Sequence, residues 1–92
     1  MSPYIGSSRP YVDGPREDLL RLVAKFPYLH FGSGCCFHFH DPEGRVIVWM
    51  TRREQILEVG DTIRASFVVK SHFEWEGVPQ NITKKFKILG RQ

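Results

Sequence analysis

Asp41-Pro42-Glu43-Gly44 lies between two short runs, Cys35 to His40 and Arg45 to Thr51, both rich in aromatic and β-branched residues. Proline presets the second position of a tight turn and glycine accepts positive φ, so the tetrapeptide reverses the chain. The flanking runs then pair as a hairpin. A lone hairpin is at best marginally stable in water, so the rest of the chain has to cover its apolar face.

The covering elements also read as strands. Leu20, Leu22, Ala24 and Phe26 fall at every second position, with Arg21 and Lys25 between them, and Pro27 ends the run. This predicts a first strand from Asp18. A helix competes here, because Glu17-Asp18 ahead of a leucine-rich run is also a helix-start signal. Glu58-Val59-Gly60-Asp61 turns the chain into a long strand from Asp61 to His72, where Ile63, Ala65, Phe67 and Val69 alternate with Arg64, Ser66, Val68 and Lys70. Phe73 to Gln80 reads as a loop around Gly77 and Pro79, and Asn81 to Leu89 as the last strand. Arg52 to Gly60 is a polar connection with room for one short helical turn. Residues 1–17, rich in Pro, Gly, Ser and Tyr, form an extended arm or lead-in coil. That arm is either disordered or laid across the domain by Tyr4, Ile5 and Tyr11.

At 92 residues, with 41% hydrophobic and 25% charged, the chain supports one modest core. The expected architecture is therefore all-β: a five-stranded OB-fold barrel over residues 18–92 preceded by the arm 1–17, with an SH3-like barrel as the alternative. The longest apolar run, Val46 to Met50, is far too short to span a bilayer, so no membrane partner is expected. Met1-Ser2-Pro3-Tyr4 shows no basic segment followed by an apolar stretch, so no secretory signal is expected. Adjacent Cys35 and Cys36 make an ordinary structural disulfide unfavourable, which favours a reducing cytoplasmic setting.

The hairpin has two registers. With a simple four-residue loop, Phe39 opposes Val46 and Phe37 opposes Val48. One face then carries Phe37, Phe39, Val46, Val48 and Met50, and the other Cys36, His38, His40, Ile47, Trp49 and Thr51. With a bulge at Gly44 the pairing slips by one and every partner changes face. The first register separates apolar from amphipathic residues and is the expected one. It puts Trp49 on the outer face of the second and third strands, the usual oligonucleotide platform of OB-folds; burial of Trp49 in the core is the competing placement.

Lys70-x-His72-x-x-Trp75-x-Gly77-x-x-Gln80, preceded by Glu58-x-Gly60-Asp61 and joined to Phe39-x-Asp41-x-x-Gly44 and Trp49-x-Thr51, forms a wider pattern. It resembles small OB-fold single-stranded DNA-binding proteins of phages and mobile elements, and the hairpin is similar to the DNA-binding domains of the replication protein A type. The resemblance covers about Phe37 to Leu89. It implies that Ile47, Trp49 and Thr51 are presented to the DNA strand. The chain departs from the pattern at Gln80-Asn81, where Gln-Thr is expected, and at Lys84-Lys85, where an arginine is expected.

These readings converge on one expected function: binding of single-stranded nucleic acid, DNA rather than RNA, with little sequence preference. Bases would stack on Trp49, Trp75, His38 and Phe73, with His72 and Gln80 adding hydrogen bonds from the clasping loop. Lys70, Lys84, Lys85, Arg64 and Arg52 would line the phosphate track, with affinity falling steeply in salt. The net charge of +3 and the acid-free basic stretch after Gly77 agree with an anionic partner. One alternative is an assembly module docking on a copy of itself or on a replication protein; a weaker one is a cold-shock-like RNA-binding barrel. No cofactor or catalytic residue is expected: a Cys–His dyad has no supporting spacing, and phosphate-loop and paired-carboxylate motifs are absent. Cys36, His38 and His40 share a strand face, but alternate residues lie about 6–7 Å apart and no fourth ligand accompanies them, so no metal is expected.

Overall fold

The computed structural model describes residues 10–27, 34–53 and 55–92. All their regular structure is β: β1 (Arg16–Pro27), β2 (Cys35–His40), β3 (Val46–Thr51), β4 (Thr62–Trp75) and β5 (Val78–Arg91). The strands close in the order β1-β2-β3-β5-β4. β3 and β5 run parallel, and the other neighbouring pairs run antiparallel. This is an OB-like mixed barrel, and closure leaves no long sheet edge to template aggregation. β1 serves both sides by pairing its first half with β4 and its second half with β2, with a bulge between Leu22 and Ala24. The helix that competed for this segment does not form, because β4 and β2 take up its backbone groups.

The hairpin adopts the slipped register, which corrects the expected one. Phe37 opposes Trp49, Phe39 opposes Ile47 and His40 opposes Val46. Asp41 is the cause. Its buried carboxylate accepts the backbone N–H of Glu43 (3.0 Å) and of Arg45 (2.8 Å), and Arg45 Nε at 2.7 Å. These bonds pull Arg45 into the connection, and Gly44 takes φ 83° as the left-handed residue that closes a turn-plus-bulge loop. Phe37, Phe39, Ile47 and Trp49 consequently share the inner face.

Inside, the rings form a column. Trp49 stacks on Phe86 with centroids 4.4 Å apart and planes 13° from parallel, and Phe86 in turn stacks on Phe39 and Phe67. Leu20, Leu22, Ile63 and Ala65 complete the core, and Leu57 plugs it from the connection between β3 and β4. That connection holds no helical turn among its described residues. Glu58 and Asp61 bond each other instead, and Lys25 Nζ donates to Leu57 O at 3.0 Å.

The expected loop from Phe73 to Gln80 is instead the end of a long antiparallel ribbon, with Trp75 opposite Val78 across a two-residue turn at Glu76-Gly77. Both turn residues have positive φ, 50° and 79°, the conformation whose twist matches a β-ribbon. Alanine tolerates this region poorly, so Gly77→Ala is expected to destabilise the ribbon by about 1–2 kcal/mol. Faster amide exchange confined to residues 73–80 would show it; unchanged exchange would mean another turn type.

The expected arm divides. Residues 1–9 lie outside the described residues. Residues 10–15 lead directly into β1 and pack on the ribbon. Fully buried Asn81 holds them: its Nδ2 donates to Pro10 O (3.1 Å) and Val46 O (2.9 Å), and its Oδ1 accepts Val12 N–H (2.8 Å). One residue thereby joins the lead-in segment, β3 and β5.

Candidate nucleic-acid interface

Cross-strand partners share a face, so the register splits the ribbon in two. Ser71, Phe73 and Trp75 lie opposite Ile82, Gln80 and Val78; His72 and Glu74 lie opposite Asn81 and Pro79 on the other side. The second face is occupied by the lead-in segment. There His72 Nε2 donates to Val12 O at 2.7 Å and its ring sits 4.7 Å from that of Tyr11. His72 is thus part of the strap holding residues 10–15 and stands apart from Trp75.

The first face borders a groove of about 270 Å3 on the outer side of β2 and β3. Its floor is Cys36, Val48, Met50 and Ile82; its walls are Phe26, His38, Phe73 and Trp75; Gln80 closes it. The floor is apolar because β3 is buried on both sides: Val46 and Val48 pack outward against Ile82 while Ile47 points into the core. Phe26 meets His38 edge-to-face at 5.1 Å, and His38 meets Trp75 edge-to-face at 6.2 Å. Phe73 and Trp75 each keep 48% of their surface exposed, so flat ring area remains open to a ligand.

His38 is half-buried, and its pKa lies below the usual imidazole value, first from desolvation and second from neighbouring His40. A depressed histidine pKa means that the unfolded chain binds more protons than the native one. Stability therefore rises with pH across the window and falls as pH drops below about 6.5. Denaturation midpoints at pH 7.5 and 5.5 should differ more for the wild type than for His38→Leu; equal differences would remove His38 as the cause. Burial, followed by the charge of Cys35, raises the Cys36 thiol pKa, so the groove floor holds a thiol rather than a thiolate.

Gln80 is 2% exposed. Its Nε2 donates to Val78 O at 3.2 Å, which fixes the orientation of the amide, and its Oε1 has no hydrogen-bond partner among the described residues. Three residues further along β5, Thr83 Oγ1 donates to Val48 O at 2.7 Å, so a side chain reinforces the parallel β3–β5 seam.

The structure therefore gathers His38, Phe73, Trp75 and Gln80 from the residues singled out in the sequence. It does not bring the others to the groove. Trp49 and Ile47 face the core, and Thr51, on the same side of β3, accepts Arg53 N–H at 3.1 Å. The expectation that Ile47, Trp49 and Thr51 line the outer face fell with the register. Lys70 sits in an irregular stretch of β4 between Val69 and Ser71. Arg64 pairs with Glu17 at 3.2 Å across the β1–β4 seam. Lys84 and Lys85 lie on β5 beyond the stretch that pairs with β3, with Lys85 at φ 53° in a bulge. Arg52 is exposed just past the end of β3. Among the described residues that line the groove, none is Lys or Arg.

Sequence reasoning missed Phe26, Cys36, Val48, Met50 and Ile82. The available signal was the second register, which puts Cys36 and His38 on one face with Val48 and Met50. Among the described residues no group of three or more His, Cys, Asp or Glu side chains is placed to hold a metal ion, and no helix is long and apolar enough to cross a membrane. No family model, curated protein or solved structure matches the chain.

Proposed function

We propose that the protein binds single-stranded nucleic acid in the groove between the outer face of β2–β3 and the β4–β5 ribbon. The observation that carries this reading is the convergence of Phe26, His38, Phe73 and Trp75 on one apolar trough. That trough lies on the face which, with the loop between strands four and five, serves oligonucleotides in OB-folds generally. Bases stack on the half-exposed Trp75 and Phe73, and each base–ring contact is worth about 1–3 kcal/mol. DNA is favoured over RNA by the resemblance of the Lys70 to Gln80 stretch to single-stranded DNA-binding proteins.

Among the described residues the groove lining carries no Lys or Arg, so stacking dominates over counterion release. Log affinity against log salt is expected to have a slope of about −1 or shallower, since each neutralised phosphate on a single strand contributes about −0.7. This is gentler than a lysine-lined track would give, and a slope steeper than about −3 would relocate the site to the basic surface of β5. Trp75→Ala is expected to weaken binding of a labelled oligonucleotide by about ten-fold or more with an unchanged melting temperature. Equal affinity in anisotropy titrations would sink the stacking reading.

The apolar lining, with Glu74 and Glu76 at the ribbon end, favours a second reading: docking of another protein surface, a second copy included. Sedimentation that depends on concentration in the wild type but not in Trp75→Glu, together with no oligonucleotide binding at low salt, would select it.

A further inference from the structure

Gln80 combines three properties. It borders the groove, it is almost wholly buried, and its carbonyl oxygen is a hydrogen-bond acceptor with nothing to accept among the described residues. Leaving such a group unpaired costs about 1–3 kcal/mol, and nearly all buried polar groups have partners for that reason. The amide cannot remedy this by flipping. Its NH2 end is committed to Val78 O, and reversal would set two carbonyl oxygens against each other. The group left to pair is therefore the acceptor Oε1, held in place by the bond that Nε2 donates to Val78 O.

We infer that Gln80 Oε1 reads the base edge of the bound strand, favouring cytosine, which bears an amino group, over thymine. The inference rests on the nucleic-acid reading of the groove. Cytosine and thymine are alike in size, but where cytosine offers the N4 amino donor, thymine offers the O4 acceptor. Cytosine completes the hydrogen bond that Gln80 lacks, whereas thymine sets a second oxygen against Oε1. A site that pairs a buried polar group with one ligand rejects an analogue lacking the matching donor more strongly than an apolar pocket does. Oε1 has no contact with solvent, so a base reaches it as a neighbouring side chain yields. Phe73, directly across the ribbon from Gln80 and half-exposed, is placed to do so. Its movement also turns a ring toward the entering base.

The test is fluorescence anisotropy with labelled deoxycytidine and thymidine oligomers of about ten nucleotides, within the span one OB-fold covers. The wild type is expected to bind the cytidine oligomer about ten-fold more tightly. Gln80→Met, similar in shape but without the acceptor, is expected to lose this ratio mainly by binding the thymidine oligomer better. Melting curves verify that Gln80→Met is folded, and Gln80→Leu serves in its place if it is not. Equal affinities in the wild type, or a ratio that survives removal of the amide, overturn the base-reading role and leave the groove's function standing. Failure of both oligomers to bind the wild type overturns both.

Discussion

Trp49→Ala is expected to lower the unfolding free energy by about 3 kcal/mol or more, the range for deleting a large aromatic from a core. In a domain of this length each kcal/mol corresponds to roughly 4–8 °C, so the melting temperature should fall by roughly 12–24 °C. The size of the effect follows from position. Trp49 stacks against Phe86 on one side and Phe37 on the other, and Phe86 carries the column on to Phe39 and Phe67. Removing the indole leaves a void among rings that the strands hold apart. Trp49→Phe keeps a stacking partner and should lose less than half as much. The folded fraction of either variant should bind oligonucleotides like the wild type, opposite to Trp75→Ala. A Trp49→Ala protein as stable as the wild type but impaired in binding would mean that the indole faces solvent and that the hairpin adopts the unslipped register.

Asn81→Leu should be comparably damaging, at about 3–5 kcal/mol, although it exchanges a polar residue for an apolar one in a buried place. The amide satisfies Val12 N–H, Pro10 O and Val46 O together, and leucine leaves all three without that partner. Breaking a buried polar network is among the few mechanisms that reach this magnitude. Asn81→Asp should fare no better despite its matching shape. Its second oxygen would face Val46 O and Pro10 O as an acceptor against acceptors, with a charge to bury as well. Hydrogen exchange adds a local readout: the Val12 amide, protected in the wild type, should exchange rapidly in both variants. Intact protection with unchanged melting would mean that the lead-in segment is held by something other than Asn81.

Both variants bear on the same division of labour. The ribbon has a structural face, where Asn81 and His72 strap down residues 10–15, and an open face, where Phe73, Trp75 and Gln80 border the groove. His72 and Trp75 belong to one motif in the chain, yet they lie on opposite faces. They are three residues apart, and successive residues of a strand point to opposite sides.

Strand periodicity, the turn at Asp41 to Gly44 and the five-strand count were legible in the sequence, because they depend on residues next to one another in the chain. Alternation in Leu20 to Phe26 and in Ile63 to Val69 marks half-buried strands wherever they finally pack. The ends of β4 and β5 were not legible, because Phe73 to Gln80 carries the glycine, proline and polar residues of a loop. Only the positive φ at Glu76 and Gly77 turns it into ribbon. The facing of β3 was not legible either. Val46, Ile47 and Val48 are all buried, so its hydrophobic pattern fits either register, and a one-residue slip exchanges the two faces completely. The choice falls to partners far away in the chain: Phe86, which receives Trp49 inside, and Ile82, which covers Val46 and Val48 outside. Local sequence determined that this chain makes strands and where it turns. Tertiary packing decided which rings are core and which are site, because a strand with two apolar faces is oriented only by what each face meets.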